Sequence, residues 1–289
     1  AIVLPSVNPD TDAAETNFYN INTRVNPIKT GKINKKDAFF AFSLLGSTSN
    51  IASLGYVKCL QKSLSDKAAS VTVQTPIFAS IANIGNFEQF THALTILAGL
   101  DGISGIELNF SCPNVITSNN DEFSETNGLQ GLHLLTADLL KQVRQICKGM
   151  PISIKLPPYM DYFRLVEVAW EYIDGLTISN AYIGLEPPII GSQSAMYDPA
   201  FASYSSWSPT GIYGPFERPL TYRDIFRAIL TLDHDNYRNI SVSCVGGIVA
   251  AEQALSAIML GASTVQLSSA IAWNGLQSFQ IFNTYLEKF

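Results

Sequence analysis

Short apolar runs rich in β-branched residues alternate with amphipathic stretches along this chain, and the alternation continues to its carboxyl end. The runs predict strands at 1–5, 18–23, 77–82, 105–110, 152–156, 176–179, 240–245 and 264–267. Between them, Leu132, Leu135, Leu139, Val143 and Ile146 recur at helical spacing, and a helix over 163–173 follows the capping residue Asp161. Helical patterns at 220–232, 251–260 and 276–286 continue the series. Strand and helix in regular turn predict a parallel sheet covered by helices. Eight such units in 289 residues favour a closed (β/α)8 TIM barrel, one α/β domain over 1–289. An open doubly wound sheet is the runner-up, but no G-x-G-x-x-G follows the first strand and no P-loop occurs. The amino-terminal third fits the alternation least: 10–17 is short for a helix, and 30–37 reads as a lysine-rich loop.

Composition narrows the class. With 47% hydrophobic residues the chain can fill a large core. Eighteen basic against 24 acidic residues give a net charge of −6. The densest basic group, Lys29, Lys32, Lys35 and Lys36, is broken by Gly31 and Asn34, so it reads as a solvated loop and not as a phosphate patch. Nucleic acid is excluded as an expected partner. No apolar stretch reaches the length of a membrane span and no signal peptide is visible, which predicts a soluble, cytoplasmic protein. The first residue is Ala and not Met, which reads as a trimmed or processed terminus and leaves an organellar address open. Cys59, Cys112, Cys147 and Cys244 lie far apart, as do His92, His133 and His234, so neither a dithiol motif nor a metal site is expected.

A barrel directs attention to the carboxyl ends of its strands, where active sites form and where phosphate binds after strands seven and eight. Asn109-Phe110-Ser111-Cys112-Pro113-Asn114 closes the fourth run, and Pro113, lacking a backbone donor, sets Cys112 on the lip of the sheet. A thiol there is a candidate base, its bland alternative being a buried structural cysteine. Lys155 closes the fifth run and Asn180 the sixth. A lysine at an inner strand end needs a compensating charge, either a bound anion or a barrel carboxylate such as Glu107. After the seventh run, Gly246-Gly247 lets backbone donors approach an anion, and Ser268-Ser269 after the eighth can add donors to it. The stretch 182–219, 38 residues rich in Pro, Ser and aromatics, reads as a long insertion after strand six serving as a lid, or as a subunit contact.

Asn109 to Asn114, Ile154-Lys155-Leu156-Pro157-Pro158 and Val245-Gly246-Gly247-Ile248 together resemble the class 1 dihydroorotate dehydrogenases, the 1A type in particular. The likeness runs loosely from about Gly46 to the carboxyl end. It implies an FMN-containing barrel that oxidises dihydroorotate to orotate in pyrimidine biosynthesis, as a homodimer or with further subunits. By the same resemblance Cys112 is the catalytic base, and Asn109, Ser111, Asn114 and Asn180 meet the pyrimidine. Lys155, Gly211, Gly246, Gly247, Ser268 and Ser269 then hold FMN, with Gly214 in the same glycine-rich turn as Gly211.

Several positions depart from the family pattern. The Lys-Ser-Ser/Thr segment after the second strand is not recognisable, the nearest stretch being Asn22 to Pro27. The family's substrate loop is shortened to Ser49-Asn50-Ile51-Ala52-Ser53, Ser268-Ser269 stands where Gly-Thr is usual, Cys244 replaces a glycine, and Ala181 replaces a hydroxyl residue. These departures support an alternative, a catalytically degenerate barrel kept as a structural or assembly subunit.

Overall fold

Burial follows sequence alternation along the strand Ile152–Leu156: Ile152, Ile154 and Leu156 are buried under helices, while Ser153 and Lys155 turn to the other face and stay half-buried. The computed structural model describes residues 2–3, 26–33, 36–44, 76–82, 87–109, 135–158, 160–186, 208–234, 237 and 239–289. Its strands are β1 (Ile2–Val3), β2 (Asn26–Ile33), β3 (Lys36–Leu44), β4 (Ile77–Ala82), β5 (Gly105–Asn109) and β6 (Ile152–Leu156). They continue with β7 (Gly175–Ile178), β8 (Tyr182–Glu186), β9 (Ser208–Tyr213), β10 (Ser241–Val245) and β11 (Thr264–Gln266). One sheet has the order β1-β4-β5-β6-β7-β10-β11, and every neighbouring pair in it is parallel.

Seven helices accompany the strands among the described residues: α1 (Phe87–Ala98), α2 (Ala137–Ile146), α3 (Tyr162–Ala169), α4 (Arg218–His234), α5 (Ala251–Met259), α6 (Ser269–Asn274) and α7 (Gln277–Leu286). Thr136 caps α2 by accepting from the Leu139 N–H at 3.2 Å, and Asp161 caps α3 by accepting from the Arg164 N–H at 3.4 Å. Successive helices α1, α2, α3 and α4 pack pairwise along one face of the sheet. Against them lie Ile81, Leu108, Ile154, Leu176 and Val242, meeting Leu94, Val143, Val166 and Ala228 in one continuous core. The result is a TIM-barrel-like α/β fold. No helix among the described residues is long and apolar enough to cross a membrane.

The amino-terminal ends of the strands are tied by a clamp. Arg144 on α2 donates to the Tyr172 carbonyl (3.0 and 2.6 Å), the Met150 carbonyl (2.9 Å) and Asp174 Oδ2 (2.7 Å), and that same oxygen accepts the Ile152 N–H at 2.8 Å. This end of the sheet is built for cohesion, leaving the opposite end for chemistry.

The run at 18–23 and the segment 10–17 lie outside the described residues. β1 pairs directly with β4, Ile2 opposite Ile77, so no strand separates these two. Two sequence expectations need correction. The lysine-rich segment is not a loop: β2 and β3 form an antiparallel hairpin with Asn26 opposite Phe42 and Ile33 opposite Lys36, and a register shift between Thr30 and Lys32 flanks Gly31. The lysines masked the strand signal of Ala38 to Phe42. Nor is 182–219 irregular throughout. It contains β8 and β9, which pair with each other, and β9 pairs with β3 in a four-stranded antiparallel sheet of order β2-β3-β9-β8.

Ile154→Ala is expected to cost about 2–5 kcal/mol, because a fully buried side chain is removed from a packed core. Met259→Ala, at a position 80% exposed, should stay within about 0.5 kcal/mol. Urea unfolding midpoints decide this, and equal losses at both positions would contradict the packing described.

Candidate functional site

The carboxyl ends of four parallel strands converge on one cavity. β6 brings Lys155, the chain after β7 brings Ser179 and Asn180, the turn after β10 brings Gly246 and Gly247, and β11 with its following turn brings Gln266, Ser268 and Ser269. β5 ends beside them with Asn109, which stands opposite Lys155 in the parallel register. Glu217, just before α4, closes one wall.

Asn109 and Asn180, 71 residues apart in the chain, touch: Asn180 Nδ2 donates to Asn109 Oδ1 at 3.0 Å. Asn180 Oδ1 in turn accepts the Ala181 N–H at 3.2 Å, which fixes which way the amide faces. Beneath this pair, on the same pleat face as Asn109, Glu107 is 3% exposed. Its carboxylate accepts from Thr177 Oγ1 at 3.0 Å, Ser80 Oγ at 3.3 Å and Gln266 Nε2 at 3.4 Å. Ser153 Oγ and Thr177 Oγ1 lie 3.0 Å apart in the same network. The concave face of the sheet is therefore polar and hydrogen-bonded, unlike the branched apolar filling usual in such barrels.

Gly246 and Gly247 have φ of 136° and 67°, conformations that side chains resist. A Cβ on Gly247 would meet the Arg218 backbone nitrogen at 2.5 Å and the Gly214 carbonyl oxygen at 2.7 Å, and one on Gly246 would collide with Thr221 Oγ1. The glycine pair is thus required first by its packing against the start of α4, before any ligand is considered. Thr221 Oγ1 is fully buried and has no hydrogen-bond partner among the described residues. A tight glycine turn, the Ser268-Ser269 turn and Lys155 in one cleft fit a phosphate-bearing group such as FMN.

Glu217 is a member of the site that sequence reasoning missed. It is 5% exposed, and burial pushes its carboxyl up to about 8, while backbone N–H donors of Tyr182 and Gly214 and the charge of Lys155 pull it partly back. The Tyr182 N–H lies 3.4 Å from Glu217 Oε1. In sequence an acidic residue ahead of a helix reads as a solvated first-turn charge, and only the fold buries it. Behind it, Tyr182 Oη donates to Asp224 Oδ2 at 3.0 Å, and Arg223 donates to Asp224 Oδ1 at 2.6 Å, so the fully buried Asp224 is paired.

The remaining sequence candidates are placed as follows. Cys112, Ser111 and Asn114 lie outside the described residues. Gly211 sits within β9, opposite Ser43 on one side and Ile183 on the other, and is not among the described residues that line the cavity. Gly214, with φ of 111°, follows β9, and its carbonyl accepts the Glu217 N–H at 3.1 Å. Cys147 and Cys244 are buried, and burial pushes their thiols up to about 11 and about 12, so both are inert packing residues.

A family profile described as dihydroorotate dehydrogenase matches residues 48–289. The catalytic subunit of dihydroorotate dehydrogenase B (NAD(+)) from Archaeoglobus fulgidus is 28% identical over 229 residues, 78% of this chain and 68% of that protein. Dihydroorotate dehydrogenase A (fumarate) from Limosilactobacillus reuteri is 30% identical over 199 residues, 68% of this chain and 57% of that protein. The dihydroorotate dehydrogenase B (NAD(+)) catalytic subunit of Staphylococcus carnosus is 26% identical, over 74% of this chain and 63% of that protein. The chain thus spans between about half and two thirds of the lengths of these relatives.

Gly247→Ala should destabilise the protein by more than Gly275→Ala. Both glycines have φ near 68°, where an L side chain costs roughly 1–2 kcal/mol, but a Cβ on Gly275 meets open space and one on Gly247 meets backbone. Thermal unfolding of the two variants side by side tests this, and equal shifts would mean the α4 contact is not tight.

Proposed function

The chain belongs to the dihydroorotate dehydrogenase family, a family of oxidoreductases, and from that premise we propose that it oxidises dihydroorotate, or a closely related dihydropyrimidine, with FMN as first electron acceptor. The observation that carries this reading is the meeting of Asn109, Lys155, Asn180 and the Gly246-Gly247 turn at one end of the parallel sheet. These are the residues at which the chain resembles the family, and tertiary structure alone could bring them together.

The roles follow from their chemistry. Asn109 and Asn180 offer amide donors and acceptors, the complement of a pyrimidine's imide edge. Their mutual hydrogen bond orients them before substrate arrives. Lys155 supplies a positive charge where electron density accumulates on the flavin ring, and Gly246, Gly247, Ser268 and Ser269 offer donors to its phosphate. FMN, when bound, accepts the hydride leaving C6 of the substrate. Cys112 takes the proton from C5. It is three residues beyond Asn109, and covalent geometry alone keeps the two Cα atoms within about 11 Å. In the same reading the parallel sheet is the larger part of a closed (β/α)8 barrel, the insertion at 182–219 serves as a lid, and the protein is a cytoplasmic homodimer.

Purified protein is expected to show a flavin absorption spectrum that bleaches when dihydroorotate is added without oxygen. A colourless protein that FMN cannot reconstitute would overturn the reading and leave a structural subunit. Cys112→Ala should retain flavin and slow its reduction by about 10²–10⁴-fold, since only the base is lost. Lys155→Ala should weaken FMN binding and slow reduction together, and a variant normal in both would remove Lys155 from the site.

A further inference from the structure

An acid buried in a cleft shaped for an anion needs its own explanation. Glu217 shares the cavity wall with the Gly246-Gly247 and Ser268-Ser269 turns, and Lys155 is the one cation among the described lining residues. If Glu217 is ionised, it offsets Lys155, and an incoming phosphate meets a like charge at low dielectric. If Glu217 is protonated, it no longer offsets the charge of Lys155, and the carboxyl O–H becomes a further donor to the ligand.

We propose that Glu217 is a specificity-determining residue that makes anion binding in this cavity proton-linked: the site takes an anionic ligand together with a proton on Glu217. The proposal rests on the reading of the cavity as the FMN site and adds to it how that site is regulated. Its geometric basis is the 5% exposure of Glu217, its place on the wall and its tether to the Tyr182 N–H. Among the described residues, the charged and ionisable groups on the elements around it include Lys155 of β6, Tyr182 of β8, Cys244 of β10, and Arg218, Arg223 and Asp224 of the helix it precedes. Burial raises the Tyr182 phenol beyond the working range and the Cys244 thiol to about 12, so neither changes charge between pH 7 and 9. Glu217, at about 8, changes charge in that interval.

The sign follows directly. Affinity for an anion is fully present while Glu217 is protonated and falls as pH rises through about 8. If only the protonated form binds, the apparent dissociation constant scales as one plus the ratio of ionised to protonated Glu217. Affinity then drops about tenfold from pH 7 to pH 9.

The test is FMN titration by flavin fluorescence at pH 7, 8 and 9 for the wild-type protein and Glu217→Gln, a neutral isostere that stays a donor. The wild type should lose about tenfold in affinity across the range, whereas Glu217→Gln should match it at pH 7 and remain flat. The same pH profile in both proteins would overturn the inference and leave the FMN reading standing. Failure of both proteins to bind FMN at any pH would overturn the FMN reading instead. Thermal stabilisation by inorganic phosphate over the same pH series then decides the inference. A loss above pH 8 in the wild type alone supports it, and matching profiles sink it.

Discussion

A carboxyl group enclosed by a parallel sheet must be met by hydrogen-bond partners, and Glu107 meets donors from three other strands. Ser80 comes from β4, Thr177 from β7 and Gln266 from β11, so one side chain ties strands that are not its neighbours as well as one that is. Leaving such a buried group without partners would cost about 1–3 kcal/mol or more, so the three donors are a condition of burying it. The curl of the sheet holds those donors on one carboxylate, and the same curl brings the strand ends above them into one cleft. Asn109 is two residues beyond Glu107 on the same pleat face, so the position of the site follows from the position of this network.

The second constraint comes from the helix layer. α4 begins against the Gly246-Gly247 turn so closely that its backbone occupies the space a Cβ would need. That contact places Glu217 at the cavity, sets the buried Thr221 against the glycine turn and ties that turn to the segment after β9. Small antiparallel and large parallel sheets are joined through the same region, because β8 starts four residues after β7 and β9 ends just before α4. Changes to the glycine turn are thus felt by fold and site together, which is why a stability readout is informative there.

Much of the fold was legible because strand and helix periodicities are local. Ile77–Ala82 and Ile152–Leu156 were read residue for residue, and the Asp161 cap and the helices at the carboxyl end fell where their patterns put them. The hairpin of β2 and β3 was missed because its lysines suggested solvent, although the aromatic run from Ala38 to Phe42 suited a strand. In the segment 182–219, proline and serine concealed two short strands whose pairing depends on β3, more than 130 residues away.

What the sequence by itself determined was the order of parallel strands from Ile77 onward, the identity of Asn109, Lys155, Asn180 and the glycine pair as candidates, and the family. These rest on residue types at strand ends, which covalent order carries unaided. Only the tertiary structure decided that Asn109 and Asn180 touch, that β1 lies directly against β4, and that Glu217 is a buried wall of the cavity and not a solvated helix charge. Each of these depends on which distant segments exclude water from a group. A chain read in order carries no such information, because burial is a property of neighbours in space.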